Sequence, residues 1–129
     1  MDRTEIVREF NRLYLGDSLL QQVVLDIMEA TCRLKFNAGK VLKAERASIF
    51  EPEAKFEPAS LRFQGVRSLS CAGGPYQLNS TVVDFGAAPS GDRDYIEFYF
   101  DLTGGTDPEA FMVQVKILAK YFEFGPVEE

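Results

Sequence analysis

The stretch from Asp94 to Phe124 constrains this chain more than any other. Ile96, Phe98, Phe100 and Leu102 alternate with Tyr95, Glu97, Tyr99 and Asp101. After Thr103-Gly104-Gly105-Thr106-Asp107-Pro108 the alternation resumes, with Phe111, Val113, Val115, Ile117, Ala119 and Tyr121 against Met112, Gln114, Lys116, Leu118 and Lys120. A period of two places successive side chains on opposite faces, so both runs are read as strands with one apolar and one polar face. The Gly-Gly and Asp-Pro between them supply the turn that returns the second strand antiparallel. Glu97 and Asp101 on one polar face, with Lys116 and Lys120 on the other, suit cross-strand pairing.

The N-terminal residues read differently. Over residues 2–15, Ile6, Val7, Phe10, Leu13 and Tyr14 form one apolar stripe at helical spacing. Asp2 followed by Glu5 is a capping signature, Glu5–Arg8 and Glu9–Arg12 stand three apart, and Gly16 occupies a C-cap position. Beyond this helix, residues 18–124 read as antiparallel β. Val23, Leu25 and Ile27 alternate with Val24, Asp26 and Met28, and Cys32, Leu34 and Phe36 alternate with Arg33, Lys35 and Asn37. Two strands with a bend at Met28–Thr31, or one long bent strand, both satisfy that pattern, and Asn37-Ala38-Gly39-Lys40 reads as a turn.

Residues 43–60 are the least regular, with Pro52 and Pro58 and a repeated Phe-Glu-Pro; a short strand at 47–50 or a loop pinned by Phe50 and Phe56 fits them. Leu61, Phe63, Val66 and Leu69 mark a further strand with Gly65 as a bulge, Ala72-Gly73-Gly74-Pro75 a turn, and 76–85 another strand. The expected fold is α+β. It is a single domain over 1–129, an N-terminal helix packed on a curved antiparallel sheet of about six strands in meander order, sandwich-like or half-barrel. Eleven Phe and five Tyr with no Trp imply a core built largely of aromatic rings.

Composition narrows function by exclusion. Without a single His, the chain lacks the commonest general base, nucleophile partner and zinc ligand. Asp92 with Asp94, and Glu97 with Asp101, could pair as acid and base or hold a hard cation, but carboxylates beside a turn and on a polar strand face are ordinarily just solvated. Cys71 before Ala72-Gly73-Gly74 has no His to activate it, and neither Gly-Gly pair has phosphate-loop spacing. No catalytic, cofactor or metal-binding residues are therefore expected, and no enzyme. A net charge of −6 argues against nucleic acid and allows a basic protein partner. The two cysteines, Cys32 and Cys71, are expected to stay reduced. No apolar run reaches the roughly 18 residues of a membrane span, and no hydrophobic signal segment opens the chain, so a cytoplasmic location off the membrane is expected.

The expected contact surface lies near the C-terminus. Tyr95 and Tyr99 on one polar face, with Met112, Leu118, Phe122 and Phe124 on the next, form an aromatic patch on a strand from Phe111 to Phe124 that ends the meander as an edge. Either the N-terminal helix covers Met112, Leu118, Phe122 and Phe124 or a second copy does, and a second copy pairing there predicts a homodimer with Leu118 and Phe122 in or beside the contact.

Leu15-Gly16-Asp17-Ser18 ahead of Val23-Val24-Leu25-Asp26, and Leu61-Arg62-Phe63-Gln64-Gly65-Val66, resemble segments of small bacterial β-rich proteins, some of which look like immunity proteins that neutralise a toxin encoded beside them. Where those proteins have His, this chain has Gly16. The resemblance implies a bacterial cytoplasmic protein and carries no catalytic residue. Together these readings point to a non-enzymatic binding protein, of immunity type by resemblance, acting through an acidic surface. A β module enclosing a small apolar ligand is the alternative.

Overall fold

The computed structural model describes residues 2–15, 18–41, 57–73, 80–104 and 111–126. They form a predominantly antiparallel β structure with one short helix, α1 (Arg3–Phe10), and nine strands: β1 (Leu13–Tyr14), β2 (Leu19–Asp26), β3 (Thr31–Val41), β4 (Glu57–Gln64), β5 (Ser68–Gly73), β6 (Ser80–Pro89), β7 (Ile96–Gly104), β8 (Phe111–Ala119) and β9 (Tyr121–Pro126). The strand order is β5-β8-β7-β6-β2-β3-β4-β9, with β1 beside β3. Two three-stranded meanders, β2-β3-β4 and β6-β7-β8, are thus joined through β2 and β6. This replaces the single meander of about six strands that turn spacing suggests.

The ends of that path meet. β4 and β5 are one segment bent at Gly65–Arg67, and β8 and β9 are another bent at Lys120. The bends face each other: the Arg67 N–H donates to the Leu118 carbonyl at 2.7 Å, and the Lys120 N–H donates to the Gln64 carbonyl at 3.0 Å. Pairing of β4 with β9 therefore continues into pairing of β5 with β8, and the sheet curls back on itself. Gly65 sits at φ +63°, a left-handed conformation that costs other residues energy, and a Cβ there would lie 3.0 Å from Lys120 Cγ. The sequence slip read as a bulge is this bend.

Side chains on the enclosed face make an aromatic core. Phe10 is fully buried, with ring centroids 4.9 Å from Phe98, 5.1 Å from Phe122, 6.1 Å from Phe100 and 6.4 Å from Phe63. Most of these contacts are edge-on or tilted, the geometry that ring quadrupoles favour. Ile6, one turn before Phe10, is also buried. Asp2 caps α1, its carboxylate accepting from the Glu5 N–H at 2.9 Å, and Glu9 pairs with Arg12 at 3.1 Å.

Three expectations fail on local geometry. The helix stops at Phe10, not at residue 15, because Leu13 and Tyr14 pair as strand with Val41 and Lys40. Asn11 closes it, its side chain accepting from the Ala87 N–H at 3.3 Å. Residues 37–40 are not a turn: β3 runs through them with a register shift, and Asn37 accepts from the Leu19 N–H at 2.7 Å. Gly39 is there for close approach, since a Cβ would come within 2.9 Å of Leu15 Cδ2. Finally, the Phe111–Phe124 strand is broken at Lys120. β8 lies between β5 and β7, so it is not an edge; β9, paired among the described residues with β4 alone, ends the strand order, and there the alternation inverts, leaving Tyr121 exposed and Phe122 buried. The readings of Gly16, of residues 43–56, of Gly74–Pro75 and of the Gly105–Pro108 turn lie outside the described residues.

Candidate interaction surface

The six residues expected to form a patch do not share one. Phe122 belongs to the core, 5.1 Å from Phe10, and Phe124 is half-buried and packs against that core. Tyr99 is half-buried over Gly86, its cross-strand partner, where a Cβ would meet the ring at 2.9 Å; the ring covers the backbone that glycine leaves bare. Tyr95 lies beneath two cations, Arg67 at 5.4 Å and Lys120 at 5.6 Å from its centroid. Leu118 is half-buried, and Met112 is exposed. The patch dissolves because Phe122 and Phe124 turn inward beyond Lys120, Tyr95 lies beneath two cations, and Tyr99 packs over Gly86.

The carboxylates of the same region are engaged. Glu97 pairs with Lys116 at 3.4 Å, and Asp101 accepts from the Gln114 amide at 2.8 Å. Asp92 pairs with Arg67 and accepts from the Asp94 N–H. Arg3 holds the same loop, with one guanidinium nitrogen donating to the carbonyls of Ser90, Asp92 and Tyr95 at 2.8–3.2 Å. Among the described residues no group of three potential metal ligands converges. Burial lifts the Cys32 thiol from 9.0 to about 11, with the charge of Cys71 adding to the rise, so Cys32 stays a thiol at neutral pH. Cys71 is exposed on β5.

A different surface stands out. β2 pairs with β6 only at Leu19 and Leu20; from Gln22 to Asp26 its strand partner among the described residues is β3 alone. The outer half of the β2–β3 hairpin forms an arm that ends in the turn after Asp26. Its side chains are apolar on both faces. Val23 and Leu25, opposite buried Leu34 and Cys32, lie on the core-side face yet are 40% and 46% exposed; Val24 lies on the outer face opposite Arg33. At the tip, Ile27 and Met28 are 81% and 92% exposed. Those two side chains forgo most of the roughly 1.5–3 kcal/mol each that burial provides.

The tip is a built turn. Asp26 accepts from the Glu29 N–H at 3.0 Å, the Ala30 N–H reaches the Ile27 carbonyl, and the Ala30 carbonyl accepts from the Val66 N–H at 2.8 Å. Ala30 pays for this with φ +54°, a conformation ordinarily left to glycine. The outer face of the arm continues into Arg33 and Arg62, direct cross-strand neighbours, so it is not acidic. Alternation alone reads Val23–Met28 as an ordinary buried strand. The available signal was Ile27 and Met28, two large apolar residues inside a turn bounded by Asp26 and Glu29.

No family model and no curated protein matches the chain. Among solved structures, an uncharacterized protein from Neisseria gonorrhoeae is similar in outline, with a TM-score of 0.49 at 10% identity over 89% of this chain and 96% of that one. Among the described residues no helix is long and apolar enough to cross a membrane.

Proposed function

We propose that the protein is a non-enzymatic binding module whose working surface is the β2–β3 arm and whose partner is another protein. The observation that carries this reading is the cluster of exposed apolar side chains on that arm, Val23, Val24, Leu25, Ile27 and Met28. A partner with a complementary apolar face buries such side chains and gains the free energy that their exposure forgoes. An immunity-type protein, which acts by binding alone, is one form of such a module. The acidic net charge then serves recognition at longer range, and the close contact is apolar.

The alternative, a module enclosing a small apolar ligand, has less support. The interior where a ligand would lodge holds Phe36, Phe63, Phe98 and Phe100 around Phe10, in ring contacts of 4.8–6.4 Å.

Affinity capture from a bacterial lysate with the wild-type chain, with Leu25→Lys combined with Ile27→Lys, and with Met112→Lys tests the proposal, provided all three have matching circular dichroism. A protein retained by wild type and by Met112→Lys, but lost with the arm variant, is the expected result. Equal retention by all three rejects the arm as the working surface.

A further inference from the structure

We infer that the outer sheet face beside the arm binds an acidic polypeptide segment, whose carboxylates seat on Arg33, Arg62 and Lys35. This deepens the reading of the arm as a protein-binding surface and rests on it. Strand register defines the face. One row runs Val24–Arg33–Arg62–Glu123 across β2, β3, β4 and β9, and the next runs Gln22–Lys35–Ser60–Gly125. Leu34 and Leu61, which fall between the two rows on β3 and β4, are buried in the core, so both rows lie on the outside.

The three cations of this face make no ion pair among the described residues. Arg33 and Arg62 are exposed and directly opposite each other, where like charges on Cβ atoms about 4.5–5.5 Å apart repel. Half-buried Lys35 stands two residues along β3, about 6–7 Å from Arg33. The nearby carboxylates are turned to other groups. Glu123, opposite Arg62, accepts from the Gln64 amide at 2.9 Å, and Asp26 accepts from the Glu29 N–H in the turn. A chain of net charge −6 thus gathers cations where they destabilise one another. A carboxylate set between Arg33 and Arg62 replaces that repulsion with charge-assisted hydrogen bonds.

Spacing and surroundings define the occupant. Alternate residues of an extended segment lie about 6–7 Å apart, so carboxylates two residues apart reach Arg33 and Lys35 together. Val24, on the same row as Arg33, and the tip with Ile27 and Met28 receive apolar residues of the same segment. An anionic membrane fits less well, because Asp26 and Glu29 flank the tip that would enter it. A nucleic acid fits less well too. It presents more phosphates than three cations neutralise, and the rest meet a chain of net charge −6.

Fluorescence anisotropy on the full chain tests the inference with a labelled peptide of the repeat Glu-Val-Glu-Thr, the same peptide with Lys in place of Glu, and oligothymidylate. Co-sedimentation with phosphatidylcholine vesicles holding about 30% phosphatidylserine tests the membrane. The expected result is saturable binding of the Glu peptide alone, weakening as salt rises. Arg62→Gln should weaken it about two- to fivefold, the effect of one exposed ion pair, and Arg33→Glu combined with Arg62→Glu should abolish it. Arg62→Gln should also leave the urea midpoint unchanged or higher, since it removes a like-charge neighbour, so the weaker binding is not a folding defect. Failure of the Glu peptide to bind overturns the inference. So does equal or tighter binding of the Lys peptide, oligothymidylate or vesicles, or Glu-peptide binding that survives the double charge reversal. Each of these leaves the capture experiment above, which changes Leu25 and Ile27 and no cation, to decide the broader reading on its own.

Discussion

Phe10 is the side chain whose removal should reveal most about how this fold is held. It comes from the last turn of α1 and lies among rings from three strands: Phe63 on β4, Phe98 and Phe100 on β7, and Phe122 on β9. Phe10→Ala removes a fully buried ring whose neighbours are anchored in separate strands, so the space cannot close easily. Large-to-small changes of this type cost about 3–5 kcal/mol, and the lost edge-on ring contacts place this one towards the upper end. Against a total stability of about 5–15 kcal/mol, that is a third or more of what holds the domain. With a urea slope of about 2 kcal/mol/M the midpoint falls by about 2 M. Phe10→Leu, which restores most of the volume, should lose only about 1–1.5 kcal/mol. Urea unfolding followed by tyrosine fluorescence and far-ultraviolet circular dichroism gives both numbers. A Phe10→Ala loss below about 1.5 kcal/mol with an unchanged slope would refute the reasoning, since the helix would then not be seated in the ring cluster.

Backbone strain and one titrating thiol set three further outcomes. Gly65→Ala should destabilise by about 1 kcal/mol, because φ +63° costs an L-residue about 1–2 kcal/mol and the smaller unfolded-state entropy returns only part of it; an unchanged urea midpoint would mean that the bend relaxes freely. Ala30→Gly at φ +54° should run the other way and stabilise by about 0.5–1 kcal/mol, and a lower midpoint would contradict the strain assigned to the arm's turn. Cys32 keeps its proton more tightly folded than unfolded, so its contribution is fully present below about pH 9 and is lost as pH rises towards about 11, by at most about 1.4 kcal/mol per pH unit. Cys32→Ala should flatten that part of the stability profile relative to wild type, whereas parallel profiles would show that the thiol ionises as readily folded as unfolded.

What sequence could and could not reveal divides along one line. The alternation in Ile96–Leu102 and Val113–Ala119 identifies two strands and their buried faces, because each is half-buried along its whole length and periodicity reports that directly. Glu97 does meet Lys116, as their faces suggest. Where the reading fails, a residue's role depends on chain far away. Gly39 resembles a turn residue until Leu15 is seen against it, and Leu13 and Tyr14 fit a helical stripe until the end of β3 arrives to pair with them. Lys120 looks like one more outward position in a strand. It marks a bend because Gly65 on another strand bends opposite it, and that one break moves Phe122 from the surface to the core.

The arm is the same lesson turned towards function. Val23, Val24 and Leu25 have the composition of a strand buried on both faces, and the local sequence is satisfied by that reading. They are nonetheless 38–46% exposed, on a hairpin in which β2 and β3 run together as far as the turn at Ile27–Ala30. A strand with a buried strand's composition and a surface strand's environment is locally inconsistent with its fold, and such inconsistencies concentrate where a protein meets something else. Selection for solubility alone would favour Lys or Glu at these exposed positions. Retaining Val, Leu, Ile and Met there is intelligible if these side chains are covered when the protein works. The covering surface must then supply apolar side chains shaped to Val23, Leu25, Ile27 and Met28.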